Sequence, residues 1–227
     1  MKKLPPKAAV LWTGGKDSAL ALYEARLSGY EIVSLITFIP AGADFLAHPL
    51  FIMEAQAQAL SLPHQTLTIL EPFRENYEKA IASIKIKLGI DYLITGDISL
   101  VDGLPNWIRE RSLPSGMKVL TPLWEKDRRS ILERLISLHF EVVFSGVKSP
   151  WLNEDWLGRD ISRSSLEQLN IVGKETGLDL CGEQGEYHTL VLDGPSFCKR
   201  IEIKGFSKGI QGDLAYLIID RWALVYK

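Results

Sequence analysis

Six consecutive residues, Thr13-Gly14-Gly15-Lys16-Asp17-Ser18, combine two hydroxyls, paired glycines, a cation and a carboxylate. The apolar run 8–12 leads straight into them, and a stretch with Leu20, Leu22, Tyr23 and Leu27 near helical spacing, closed by Gly29, follows. Glycines at a strand-to-helix turn let backbone N–H groups approach a phosphate, and the helix start adds unpaired amides and a positive dipole end. The segment is therefore a candidate polyphosphate cradle. It is not a Walker A loop, because Asp17 follows Gly15-Lys16 and no glycine stands five residues before Gly15. It also lacks the G-x-G-x-x-G of a dinucleotide fold. The plain structural alternative is a strand-to-helix turn capped by Asp17 or Ser18.

A second cluster, Cys181-Gly182-Glu183-Gln184-Gly185-Glu186-Tyr187-His188-Thr189, sets two carboxylates and an imidazole on a backbone loosened by two glycines. Read alone, it is also a polar turn before a strand at Leu190. Two further runs accompany it, Trp156-Leu157-Gly158-Arg159 and Pro122-Leu123-Trp124-Glu125-Lys126-Asp127.

The first segment resembles the S-G-G-x-D-S loop of the ATP pyrophosphatase (PP-loop) superfamily, with Thr13 keeping the hydroxyl of the first serine. All four runs together, with Val191-Leu192-Asp193-Gly194-Pro195, resemble the diphthine–ammonia ligase family, also described as ATP-binding domain 4 proteins, over about residues 8–200. The resemblance implies an ATP-dependent carbon–nitrogen ligase that adenylates a carboxylate, transfers ammonia and releases AMP and pyrophosphate. The family acceptor is diphthine, a modified histidine on translation elongation factor 2. The same resemblance implies that Thr13, Gly14, Gly15 and Ser18 cradle pyrophosphate, that Lys16 neutralises it and that Asp17 helps hold Mg²⁺. Thr37, Phe38 and His48 would lie toward the nucleotide, and Gly96 and Asp97 toward the metal or acceptor. Glu183, Glu186 and His188 are the groups available to bind ammonium or take up its proton. Diphthine-specific relatives typically carry a small residue at the place of Asp97 and a Tyr-Gln-Arg-type run beyond it; here residues 96–102 and 106–110 read differently. The acceptor stays open for that reason. The alternatives are a PP-loop ATPase serving tRNA modification or a small carboxylate, and a non-catalytic nucleotide sensor.

Positioning these residues requires an α/β fold. Candidate strands at 8–12, 31–37, 64–69, 91–95, 118–120 and 141–144 alternate with candidate helices at 18–27, 50–60, 73–88 and 128–138, the mark of βαβ units and a mainly parallel open sheet. The PP-loop resemblance implies the adenine nucleotide alpha-hydrolase, Rossmann-like version of that fold. Ligands of such sheets lie beyond the carboxyl ends of the strands, which directs attention to the turns after Trp12, Thr37, Thr95, Leu120 and Phe144. Beyond residue 160 come a helix near 164–176 and β-type runs at 189–192, 200–203 and 214–225. The expected division is an N-terminal nucleotide-binding domain over 1–145 and a smaller α+β lobe over 146–227.

The bulk numbers narrow the function class. Among 227 residues, 26 basic and 28 acidic side chains leave a net charge of −2, so there is no global positive field for nucleic acid. The run Lys126-Asp127-Arg128-Arg129 reads as a solvated helix start. Two cysteines, Cys181 and Cys198, form no C-x-x-C pair, which excludes a zinc ribbon or dithiol motif, and both are expected as small buried side chains. The segment Met1-Lys2-Lys3-Leu4-Pro5-Pro6-Lys7 has no apolar centre, and no run reaches the roughly 20 apolar residues that span a bilayer. These readings predict a cytoplasmic protein without membrane or nucleic acid as partner and leave a homo-oligomer open; ATP and ammonia as partners, with elongation factor 2 as a possible protein acceptor, are what the family resemblance implies. No glutaminase domain is evident, so ammonia is expected free or from a separate subunit.

Overall fold

The structure is a computed structural model that describes residues 4–100 and 106–227. Its chain forms two compact units, the first from residues 1–13, 17–44 and 62–124, the second from 14–16, 45–61 and 125–227.

In the first unit, β1 (Lys7–Leu11), β2 (Glu31–Pro40), β3 (His64–Ile69), β4 (Tyr92–Ile94) and β5 (Lys118–Leu120) form a parallel sheet ordered β3-β2-β1-β4-β5. Ala8, Ala9 and Val10 are fully buried, because the central strand of a covered parallel sheet is shielded on both faces. Helix α1 (Lys16–Leu27) follows β1, α3 (Phe73–Leu88) precedes β4, and the short α4 (Trp107–Ser112) precedes β5. Gly89 ends α3 in the left-handed region at φ 60°, where a side chain would be strained. Ile81 and Ile84 of α3 pack with Ala9, Ile36, Ile90, Leu93 and Met117 in the core on one face of this sheet. The chain builds outward from β1 to β3 and then returns to β4 on the other flank of β1. The topological switch point therefore falls between β1 and β4, and the turns after those two strands border it.

The second unit holds an antiparallel sheet ordered β7-β6-β9-β8, from β6 (Glu141–Lys148), β7 (Tyr187–Asp193), β8 (Lys199–Gln211) and β9 (Leu214–Tyr226). Among the described residues, three α-helices accompany it: α2 (Leu50–Ala59), α5 (Arg128–Ser137) and α6 (Arg163–Thr176). Asp127 caps α5 by accepting from the Ser130 N–H at 2.8 Å, and its carboxyl is held below the usual range chiefly by bonds from Ser130. Ser162 and Ser165 close a reciprocal capping box on α6.

The mixed α/β class and the five parallel strands agree with the sequence reading, with three corrections. The run 141–144 is not a sixth parallel strand: β6 pairs antiparallel with β7 and β9. Val142, Val143 and Phe144 are all buried, and an apolar run covered on both faces reads alike in either sheet type. Residue 145, the expected boundary, lies inside β6, and the second unit takes up the chain from residue 125 onward. Cys198 is exposed, its Sγ 2.8 Å from the Ala59 carbonyl, whereas Cys181 is buried as expected. Arg129 makes ion pairs with Glu133 (2.8 Å) and Glu167 (2.6 Å), in keeping with a solvated helix start.

Candidate active site

The segment 13–18 is shared between the two units. Gly14, Gly15 and Lys16 belong to the second, where all three are buried. Gly14 sits at φ 76°, where a side chain would be strained, and a Cβ there would lie 2.5 Å from Gln56 Oε1 and displace that amide. The Gly14 carbonyl accepts from Gln56 Nε2 at 2.8 Å and from the Val191 N–H at 3.0 Å, while Gln56 Nε2 also donates to the Val191 carbonyl at 2.8 Å. Lys16 is 2% exposed. Its backbone N–H donates to Thr189 Oγ1 at 3.1 Å, its ammonium donates to the Cys181 carbonyl, and Nζ stands 5.1 Å from the Tyr187 ring centroid. The structure thus joins the glycine pair and Lys16 to the 181–189 segment, two stretches far apart in sequence.

That segment is folded around Glu186. Its carboxylate is 2% exposed and accepts the Asp179 N–H at 2.8 Å and the Gln184 N–H at 2.9 Å, one on each oxygen. Gly182 and Gly185, at φ 72° and 85°, make the turn that permits this. Glu183 is half-buried, and its charge, behind the Asp179 salt bridge at 3.0 Å, helps hold the Arg128 guanidinium above its usual pKa against the cost of burial. His188 Nδ1 lies 3.3 Å from His48 Nε2, with the two rings edge to face at 5.2 Å. Gly146 makes room for them: a Cβ there would come within 3.2 Å of His188 Cδ2 and 2.7 Å of Ala47 Cβ. Burial, reinforced by the Lys148 and Lys16 charges, lowers the His188 pKa to about 4, so the ring is neutral at ordinary pH.

The first unit carries Thr13, Asp17 and Ser18 at the carboxyl end of β1. Thr13 is exposed and its hydroxyl donates to Ser18 Oγ at 3.3 Å; Asp17 is half-buried in the first turn of α1. The turn after β4 presses against the same place: a Cβ on Gly96 would stand 2.6 Å from the Asp17 carbonyl carbon and 2.7 Å from the Ser18 nitrogen. Asp97 Oδ2 accepts from Thr95 Oγ1 at 2.6 Å and from Asn106 Nδ2. The Thr37 hydroxyl donates to the Trp12 carbonyl at 2.6 Å and lies 2.8 Å from His64 Nε2, which makes Thr37 a brace at the end of β1. Phe38 packs against the core, edge to face with Tyr77 at 5.1 Å. Residues 101–102 of the loop after β4 lie outside the described residues.

Two residues of this arrangement were not picked out from sequence. Gln56 is fully buried on an otherwise apolar stripe of α2 with Ile52, Met53 and Ala59, and a lone amide at that spacing was the available signal. Thr189 lies within the second cluster, but nothing in its type marks it as the partner of the Lys16 N–H.

Residues 6–119 match the model of the diphthamide synthase N-terminal domain, and residues 127–225 match that of the diphthamide synthase C-terminal domain. The chain belongs to the diphthamide synthase family. Proteins named diphthine–ammonia ligase are similar to this diphthamide synthase family chain. The Bos taurus protein is 27% identical over 220 residues and the Homo sapiens protein 26% over 220, each alignment covering 86% of this chain and 82% of the relative. The Schizosaccharomyces pombe protein is 27% identical over 239 residues, covering 93% of this chain and 38% of that longer protein. Among solved structures, a predicted subunit of tRNA methyltransferase from Methanocaldococcus jannaschii DSM aligns with a TM-score of 0.45 and 18% identity, covering 83% of this chain and 98% of that one. In this diphthamide synthase family member, the runs 13–18 and 181–189 fall within the matched spans.

Proposed function

We propose that this chain is an ATP-dependent carbon–nitrogen ligase that adenylates a carboxylate and transfers ammonia to it, releasing AMP and pyrophosphate. The observation that carries the proposal is the left-handed glycine turn at Gly14, at the carboxyl end of β1, in a chain of a family whose relatives are named diphthine–ammonia ligase. Where the source organism makes diphthamide, the acceptor is the diphthine carboxylate of translation elongation factor 2, and the reaction is cytoplasmic. No helix among the described residues is long and apolar enough to cross a membrane.

In this reading the carboxylate oxygen attacks the α-phosphorus of ATP, the bond to the β-phosphate oxygen breaks, and pyrophosphate leaves. Ammonia then adds to the acyl carbon, the bond to AMP breaks, and one proton goes to a base. The Thr13 hydroxyl, the Gly14 and Gly15 backbone and Ser18 hold the phosphates, and Lys16 supplies positive charge to them. Among the described residues there is no cluster of three or more His, Cys, Asp or Glu side chains able to cage a metal. A single carboxylate does suit Mg²⁺, which ordinarily binds one or two carboxylates together with substrate phosphates and water. Asp17 is the residue that would hold it, and the ion would stabilise charge on the leaving oxygens. His188, kept neutral, can accept a hydrogen bond from ammonia, with His48 orienting its ring; Glu186 holds the backbone of 179–186 in shape, and Glu183 is the carboxylate available to bind ammonium or take up its proton.

The test compares two substitutions. Asp17→Ala should lower the rate of AMP release by roughly 100-fold or more, the usual scale for losing charge stabilisation at a leaving group, whereas Cys181→Ala should keep most of the activity. Loss of turnover in a folded Cys181→Ala enzyme would point instead to covalent sulfur chemistry.

A further inference from the structure

In the first unit, a chain of contacts leads from the switch point to one cation. Asp97, two residues past Thr95 on the turn after β4, accepts from Asn106 Nδ2; Asn106 Oδ1 accepts the Arg109 N–H at 2.8 Å and so caps α4. That cap aims Arg109 at the carboxyl end of β5, where its Nη2 donates to Thr121 Oγ1 at 3.1 Å and its guanidinium carbon lies 5.4 Å from the Trp124 ring centroid. Arg111, two residues on, is a structural contrast: its side chain is 9% exposed and paired with Glu78 at 2.9 Å and Glu110 at 3.3 Å. Arg109 is exposed, and among the described residues no carboxylate pairs with it.

We propose that Arg109 is a specificity-determining residue of this enzyme, a platform that receives a second carboxylate of the acceptor, apart from the one that reacts. The inference rests on the ligase reading above and names a recognition residue within it. A guanidinium laid on an indole face, with one edge tied to a hydroxyl, is pre-oriented and keeps further N–H groups for a carboxylate, which it recognises by charge and by its planar fork. Its location favours acceptor over nucleotide phosphates. β5 stands two strands from β1, roughly 10 Å at ordinary strand spacing, too far for one group to touch both a phosphate at residues 13–18 and the Thr121 platform, yet within the span of an acceptor. Asp97 and Asn106 are the positioning residues, because they fix the start of the helix that carries Arg109.

The experiment reads binding separately from turnover. Glutarate and its uncharged diamide, glutaramide, are titrated against the full chain by ligand-observed NMR, in the parent, in Arg109→Gln and in Arg109→Lys, with Mg·ATP affinity measured by calorimetry in each. The parent should bind glutarate roughly fivefold or more tighter than glutaramide, the range of a solvent-accessible, charge-assisted pair. Arg109→Gln should lose that preference with Mg·ATP binding unchanged, and Arg109→Lys should keep part of it. No preference in the parent, a preference that survives Arg109→Gln, or a matching loss of Mg·ATP affinity would each overturn the assignment. Failure of the parent to release AMP with any acceptor would count against the ligase reading alone, since the binding comparison does not depend on turnover.

Discussion

His188 shows how packing turns an ordinary side chain into a tuned one. Burial and two lysine charges favour its neutral form in the folded protein, with a pKa of about 4 against 6.5 for the free side chain. Between those values the unfolded chain binds a proton that the folded chain refuses, so stability should fall as pH drops from 6.5 toward 4 and then level off, by up to about 3 kcal/mol from this group. Urea unfolding of the parent and of His188→Gln at pH 7, 5.5 and 4.5 isolates the effect: the parent should lose stability relative to the variant over that interval. Parallel pH dependences would show that the ring is not held neutral. At this scale the sequence disclosed which side chains matter more readily than what they touch. Glu186 was readable as a carboxylate for ammonia, yet it accepts a backbone N–H on each oxygen, a role visible only once Asp179 and Gln184 are folded around it. Thr37 and Phe38 likewise were placed by their position after a strand. The one braces the Trp12 carbonyl and the other packs on Tyr77, contacts that depend on β1 and α3 rather than on neighbours in sequence.

Among the elements, α2 has a role disproportionate to its ten residues. Its buried Gln56 bonds the carbonyls of Gly14 and Val191, tying the glycine turn to β7 in the second unit. Gln56→Leu keeps the approximate volume but removes both donors, leaving the Val191 carbonyl without this partner in an interior where polar groups must be satisfied. The expected loss is about 1–3 kcal/mol in denaturant unfolding. An unchanged unfolding midpoint would show that the amide is dispensable to the turn. Most elements were legible because their periodicity is strong: α3 matches its expected limits, and β3 and β5 do as well. α4 was not, since six residues with two arginines and a glutamate carry too little apolar pattern to register, and its start depends on the Asn106 cap. β8 is far longer than the run 200–203 because exposed Lys204, Ser207 and Lys208 hide its alternation, while pairing with β9 carries it to Gln211.

For the whole molecule, the order β3-β2-β1-β4-β5 places the turns after β1 and β4 at one switch point, and the Gly96 approach to Asp17 and Ser18 makes that juxtaposition physical. The parallel sheet was readable from alternating apolar runs, but the division of residues 13–18 between two compact units was not. It depends on Gly14 and Lys16 bonding to Gln56, Thr189 and Cys181, partners up to 173 residues away. In the proposed reaction ATP is split between its α and β phosphates to activate a carboxylate for ammonia. Its most direct test is ³¹P NMR of the products formed from ATP and Mg²⁺ with ammonium and a carboxylate acceptor, diphthine-bearing elongation factor 2 among those tried. AMP and pyrophosphate in equal amounts, dependent on the acceptor and matched by amide formed, is the predicted result; ADP and inorganic phosphate as products would contradict it.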